Sequence, residues 1–310
     1  MRTKQLLFPF FAVVLFLSSC SKEISTVQNT LLPQDEYQLM RLAYYRDIPD
    51  GTDGIGLRFL ETPVIINLYS THPYYEQIKT FVDAAAQEKV PLRVTIKNQD
   101  ELEVINPASE EEITSIKNFD LQARKITEEP PQIKKVLPNM DVFNEIFDFM
   151  EAQGCDESTV TIDQCISFQY VVDGCYARAH KMRQVLIENY SYSCEKVFSY
   201  EGPSGYLAVD AGECCVYWWY HVAPLVSVNE DGVINKYVMD PSMFEEPVSI
   251  ETWTGAQENM SCSPYADFGY YDIQRGQFYS PGWWSSYSTD EDLWSTNYTL
   301  DAYSDLETCD

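Results

Sequence analysis

Hydrophobic positions along the chain fall into runs whose period changes at a few well-marked places. Residues 62–69, 91–96 and 102–105 are short apolar stretches read as strands, and residues 73–86 have helical spacing with Pro73 suited to the first turn. Residues 107–113, Pro-Ala-Ser followed by three glutamates and Ile113, have the composition of a helix N-terminus. Residues 41–127 are thus expected to form a small α+β module, preceded by a polar tether over residues 21–40. A charged, proline-containing linker follows at residues 128–138, and exposed segments of this kind are preferred sites of proteolytic nicking. Residues 139–310 are expected to form a second, larger domain.

In that second part, an apolar extended run from Ile166 to Val172 breaks at Asp173-Gly174. A helical pattern follows, with Ala179, Met182, Leu186 and Ile187 on one stripe. Cys175 falls in the first turn of this helix, where unpaired N–H groups and the helix dipole favour negative charge and push a thiol toward thiolate. Residues 214–228 read as one long buried strand, then Asn229-Glu230-Asp231-Gly232, then a second strand from Val233 to Met239 ending in Asp240-Pro241. Asp-Gly between two such runs signals a hairpin. A two-residue turn places Asp240 opposite Ala223 with His221 as its diagonal neighbour; a four-residue loop places Asp240 directly opposite His221. Both registers put imidazole and carboxylate on one sheet face, because faces alternate with period two. That is the base and orienting group a cysteine nucleophile needs. His180 is the rival base, but five residues along a helix is about 140° around the axis, so it is read as a packing or supporting residue. His72 lies at a helix entrance, far from this constellation.

The chain opens with a basic pentapeptide and the apolar run Leu6 to Leu17, too short to span a bilayer and flanked like a signal peptide. The run ends in Leu17-Ser18-Ser19-Cys20, which resembles a bacterial lipobox and implies cleavage before Cys20 and lipid attachment to its thiol; an ordinary secretory signal is the competing reading. Export decides how the cysteines are read. Of nine cysteines, setting aside Cys20 and Cys175 leaves seven, most of which should pair in an oxidising compartment. Cys155 and Cys165 flank a short polar loop and form the first expected bridge; Cys194 is expected to pair with Cys214 or Cys215, and one thiol is left over. No Cys-x-x-Cys or His-x-x-x-His spacing supports zinc. Residues 50–56 superficially suggest a calcium or phosphate loop but lack the closing glutamate and the Lys-Ser/Thr ending, so a surface turn is expected. A net charge of −27 argues against nucleic acid and anionic membrane surfaces as partners. The tail from residue 245, with Arg275 as its only basic residue and Trp283-Trp284 among many tyrosines, is expected to be half-buried irregular β structure.

The block Asp173 to Gln184 closely resembles the core motif of bacterial protein-glutaminases, exported protein-glutamine deamidases. Cys194-Glu195-Lys196, Cys214-Cys215-Val216, Tyr220-His221-Val222-Ala223 and Asp240-Pro241-Ser242 match in the same order. The resemblance runs from about Leu137 to Phe244; beyond Phe244 the chain is richer in acidic and aromatic residues. It implies a Cys175, His221, Asp240 triad, the residues selected by spacing, and an α+β core related to transglutaminases and papain-like enzymes. In such a core the helix carrying the nucleophile packs on an antiparallel sheet. It further implies an N-terminal pro-region covering the site until removed, which residues 91–96 and 107–113 faintly resemble. The expected protein is a deamidase of glutamine side chains in proteins or peptides, monomeric and without metal or organic cofactor. An activating protease would cut near Lys134-Lys135, and the lipid anchor would be the only membrane attachment, at the outer membrane or cell surface. A transglutaminase, a cysteine protease and a non-enzymatic binding lipoprotein are the rival readings.

Overall fold

In the computed structural model, the described residues are 37–123, 131–282 and 287–309. The leader, Cys20, tether residues 21–36, Trp283 and Trp284 lie outside them.

The N-terminal elements are β1 (Gln38–Asp47), β2 (Gly54–Phe59), β3 (Ile65–Tyr69), α1 (Tyr75–Glu88), β4 (Pro91–Lys97), β5 (Glu101–Pro107) and α2 (Glu110–Ala123). The five strands close into a barrel in the order β1-β2-β3-β5-β4, filled by Met40, Leu42, Ile55, Leu57, Phe59, Ile66, Leu68, Leu92 and Val94. Helix α1 buries Ile78, Val82 and Ala85, one stripe at helical spacing. Helix α2 starts in a capping box: Glu112 N–H donates to Ser109 Oγ, and Ser109 N–H donates to Glu112 Oε2. Two strands exceed the sequence expectation. Strand β1 begins at Gln38, inside the stretch read as tether; its Arg41, Tyr44, Tyr45 and Arg46 obscure the alternating period. Strand β2 begins at Gly54, inside the stretch read as a surface turn. A Cβ at Gly54 would lie 2.6 Å from Leu68 O, so the close β2–β3 approach requires glycine.

The second part comprises β6 (Val136–Leu137), α3 (Met140–Glu151), α4 (Cys175–Tyr190), β7 (Glu195–Glu201), β8 (Leu207–Asp210), β9 (Cys215–Trp218), β10 (Tyr220–Glu230), β11 (Val233–Val238), α5 (Ile250–Ala256), β12 (Phe268–Arg275), β13 (Phe278–Pro281), β14 (Tyr287–Thr289) and α6 (Trp294–Ala302). Its main sheet is ordered β11-β10-β7-β12, with β6 added to β10; β8–β9 and β13–β14 are separate two-stranded units. Ala177, Ala179, Met182, Val185 and Leu186 of α4 share one core with Phe198 of β7, Val222, Val226 and Val228 of β10, and Phe143, Ile146, Phe147 and Met150 of α3. The molecule is mixed α+β, as expected.

Several local expectations change. The single strand expected over residues 214–228 is two, because the chain leaves β9 at Trp219, whose N–H goes to Pro63 O. Residues 166–172 form turns, not an extended run. Their polar backbone groups are taken by side chains: Arg178 Nη1 donates to Tyr170 O and Asp173 O, and Val171 N–H donates to Thr308 Oγ1. The tail contains α5, α6 and three strands, with Trp253 and Leu300 fully buried. Cys155–Cys165 is a disulfide. Cys194, however, bonds neither Cys214 nor Cys215: the other two bridges are Cys214–Cys309 and Cys215–Cys262, and Cys194 is a buried thiol. Adjacent cysteines on a strand edge face opposite ways, so one reaches the C-terminal tail and the other the loop after α5.

Tyr37–Asp310 is one compact unit that holds both the barrel and the larger sheet. A buried charge pair joins them. Arg58 of the barrel binds Glu201 of β7 through both oxygens, at 2.9 and 3.1 Å, and Tyr44 OH and Arg46 reach the same carboxylate. Removing one member of such a pair strands a buried charge and costs about 3–5 kcal/mol. Arg58→Ala is therefore expected to lower the Tm of the full chain and speed limited proteolysis of the barrel; unchanged melting and cleavage would contradict this role.

Candidate active site

Cys175 opens α4 and is 2 % exposed. The turn before it depends on Gly174, which has φ +81° and caps the helix in the left-handed region. A Cβ there would also lie 3.0 Å from the Tyr303 ring. The first two turns of α4 are buried all round, from Cys175 to Met182, including three basic side chains. Each is answered from its neighbourhood. Arg178 binds the carbonyls of the preceding loop, Lys181 Nζ donates to Asp163 at 2.6 Å, and His180 Nδ1 meets Lys196 Nζ at 2.9 Å while its Nε2 meets Asp290 O at 3.1 Å. His180 is thus held away from Cys175 in a supporting network. His72 is half-buried at the turn before α1, within reach of Glu103 O.

Strand β10 passes α4 and carries His221. Glu230 pairs with Val233 and Leu225 with Val238, so the hairpin has the two-residue turn. Asp231 at φ +53° and Gly232 at φ +91° supply the two left-handed residues that a tight, right-twisting hairpin demands. Met239 N–H donates to Pro224 O, which carries the pairing on to Asp240. His221 Nε2 and Asp240 Oδ2 are 2.8 Å apart, with both side chains buried. Trp218 and Trp253 stack on the imidazole, with ring centroids 4.5 and 5.3 Å away. The Asp240 carboxylate also accepts from Trp253 Nε1 at 2.9 Å and Ser242 Oγ at 2.5 Å. Burial alone would raise the Asp240 pKa, but the His221 charge and these hydrogen bonds outweigh it and hold the pKa at about 2. His221 Nδ1, the other ring nitrogen, is buried and has no hydrogen-bond partner among the described residues.

Cys175 lies against this strand. The main-chain N–H of Val222, the residue after His221, favours the charged form of the sulfur, and the thiol is in no disulfide. Burial pushes the Cys175 pKa up to about 12, against the lowering influence of Arg178 and of that N–H. The expected pull toward thiolate at the helix tip is therefore overturned in the full chain, because desolvation exceeds the effect of the helix terminus.

The solved structures of pro-protein-glutaminase match this architecture. One, of a mutant form, is 32 % identical with a TM-score of 0.77, covering 88 % of this chain and 95 % of its own. Another is 33 % identical with a TM-score of 0.75 over the same shares. The chain belongs to the protein-glutaminase family. It is accordingly an enzyme. A family model described as glutaminase matches residues 143–257. The NMR structure of protein-glutaminase from Chryseobacterium proteolyticum is 42 % identical with a TM-score of 0.51, covering 57 % of this chain and 92 % of its own. No curated protein matches the chain.

In this protein-glutaminase family member a barrel segment, residues 59–65, packs onto the core that contains the cysteine. Leu60 and Ile65 enter the core that contains Cys175, and Val64 bridges Trp218 in antiparallel fashion. Trp219 donates its N–H to Pro63 O at 3.0 Å and its Nε1–H to Thr62 O at 2.7 Å. Sequence reasoning missed the two tryptophans around His221 and the docking of this segment. The Trp218-Trp219 pair was visible beside His221, but nothing in the sequence linked Trp253 to Asp240. Among the described residues no cluster of His, Cys, Asp and Glu could hold a metal ion.

The Asp240 pKa of about 2 lies below the unfolded value of about 3.9. Its carboxylate therefore contributes stability that is complete above the unfolded value and is lost as pH falls toward 2, worth about 2–3 kcal/mol at neutral pH. Asp240→Asn should destabilise the chain in denaturant titrations at pH 7, and the gap from the wild type should shrink toward pH 3. A gap independent of pH would refute this assignment.

Proposed function

We propose that this protein deamidates glutamine side chains in proteins and peptides, with Cys175 as nucleophile, His221 as acid and base, and Asp240 as the group that orients the imidazole. The observation that carries the reading is the polarity of His221. Nε2 donates its proton to a buried carboxylate at 2.8 Å, which leaves the lone pair of neutral imidazole on Nδ1, the nitrogen with no partner among the described residues. A nucleophile's proton has one place to go. The core beneath supports a transglutaminase- and papain-like arrangement, with α4 carrying the cysteine across the antiparallel sheet.

In the reaction, the Cys175 proton passes to His221 Nδ1 and the thiolate attacks the side-chain carboxamide carbon. The imidazolium returns the proton to the departing nitrogen, ammonia leaves, and a thioester remains. Water then gives a proton to Nδ1 and attacks the thioester, and the thiolate leaves as a glutamate side chain forms. Val222 N–H and the free N–H groups of the first turn of α4 are suited to the developing oxyanion; one such donor is typically worth about 3 kcal/mol. No step calls on a cofactor.

The barrel is a removable cover in this proposal. The structure of protein-glutaminase covers 57 % of this chain and that of pro-protein-glutaminase 88 %, a difference that matches a pro-region ending before residue 139. Lys134 is exposed, yet its N–H and carbonyl bind Ser191 O and Ser193 N–H. A cut on its N-terminal side leaves these bonds to the core intact. Before Cys20, the leader is proposed to direct export and lipid anchoring in a bacterial envelope, with the catalytic part released on processing and acting as a monomer.

The processed protein should release ammonia from a denatured, glutamine-rich protein without new termini or crosslinks. Cys175→Ala should lower the rate by at least about 10⁴-fold with the fold retained; ammonia release surviving this change would remove Cys175 from the role. New termini would indicate proteolysis, and crosslinks transamidation. Intact mass of the active form should lack the barrel, and an active form retaining residues 37–123 would rule out the cover.

A further inference from the structure

Helix α6 ends at Ala302, and residues 303–309 continue as turns along the loop that leads into α4. Tyr303 stacks on Tyr170 with ring centroids 4.9 Å apart and donates its hydroxyl to Asp173 Oδ2 at 3.1 Å. The same ring lies 3.0 Å from where a Cβ on Gly174 would stand. Gln169 Nε2 donates to Ser304 O at 2.8 Å. The Thr308 hydroxyl is used in both directions, accepting Val171 N–H at 2.8 Å and donating to Gln169 O at 2.7 Å. Residues 167–174 form no helix or strand, so this segment satisfies main-chain groups that a sheet or helix would otherwise take. The loop swings into α4 on Gly174 at φ +81°, where glycine's freedom leaves the direction of the chain to whatever presses against it.

The segment is tied covalently at Cys309 to Cys214, beside β9. Trp218 at the far end of β9 stacks on the His221 ring and donates its indole N–H to Val172 O at 3.0 Å. One bridge therefore joins the loop before the cysteine to the hairpin that backs the imidazole. Cys309 is exposed, whereas both members of Cys155–Cys165 and of Cys215–Cys262 are half-buried. Access is a main determinant of attack by a thiolate on a disulfide.

We propose that residues 303–309 are a clamp that positions Cys175, with Tyr303 and Thr308 as positioning residues, and that the Cys214–Cys309 bridge makes the clamp redox-sensitive. This rests on the deamidase reading above, in which Cys175 must meet His221 to become thiolate. A dithiol that opens the bridge gives up two electrons and two protons; it becomes a disulfide, and Cys214 and Cys309 become thiols. The segment is then held by hydrogen bonds and ring contacts alone, and the turn at Gly174 is released. Full activity is thereby tied to an oxidising compartment.

The test uses protein processed from the folded full chain. It reads kcat and KM for ammonia release from a blocked glutamine peptide, and the rate of Cys175 alkylation by iodoacetamide at pH 7. In the Cys214→Ser, Cys309→Ser double variant kcat should fall about 10- to 100-fold, the range for a slight misplacement of a reacting group, with KM changed less than about 2-fold. Cys175 should alkylate about 10-fold more slowly, because a cysteine without its imidazole is only a few per cent thiolate at neutral pH. General loosening of the fold would do the opposite, exposing the thiol and speeding its alkylation, and would overturn the inference. Thr308→Val keeps the bridge and removes only the shared hydroxyl; it should lower kcat about 3- to 10-fold, and it carries the test if the double variant does not fold. Brief dithiothreitol treatment of the wild type should lower kcat in step with mass labelling of Cys214 and Cys309, and reoxidation should restore it. Loss that follows the opening of another bridge would overturn the redox lock. An active wild type whose double variant keeps full kcat fails this inference alone. A wild type that releases no ammonia fails the deamidase reading, and the alkylation rates then decide the clamp.

Discussion

The hydrogen bond between His221 Nε2 and Asp240 Oδ2, buried among aromatic rings, is the constraint on which the site is built. It exists because a two-residue turn at Asp231-Gly232 sets the register of β10 against β11. A slip of one residue would turn the carboxylate to the other sheet face. Two further donors, Trp253 and Ser242, then make the carboxylate a poor proton acceptor, so that it orients the imidazole and stays ionised. Trp253 reaches it from α5, beyond the hairpin, so residues after Asp240 are also part of the support.

The same burial that strengthens this pair silences the cysteine. A thiol at a helix tip should be acidic, yet burial pushes Cys175 the other way. The His221–Asp240 pair is already formed, and Cys175 lies in the core against the strand that carries His221. In the function proposed above, activation would require removal of the barrel without repacking of the core.

The barrel is held to the larger sheet by polar contacts of two kinds. The Arg58–Glu201 pair anchors the barrel to β7 from within, where charge is costly to leave alone. Main-chain and indole N–H bonds from Trp219, and the Thr62 hydroxyl on Asp173, hold residues 62–63.

The chain's own residues determined a good deal. Asp-Gly between two apolar runs set the hairpin and, by period two, the meeting of His221 with Asp240; Asp173-Gly174 marked the start of the helix that carries Cys175; the Ser109–Glu112 box and the Cys155–Cys165 loop were equally local. These features depend on residues a few positions apart or on one hairpin, where geometry follows from sequence. Tertiary structure decided the rest. Cys214 and Cys215 reach Cys309 and Cys262 across long separations, which spacing cannot choose among. Strand β1 was hidden by charged and aromatic side chains whose partners lie elsewhere. The pKa of Cys175, read locally as lowered at the helix tip, is raised by burial in the folded core, because solvation is a property of what surrounds a group and not of its neighbours in the chain.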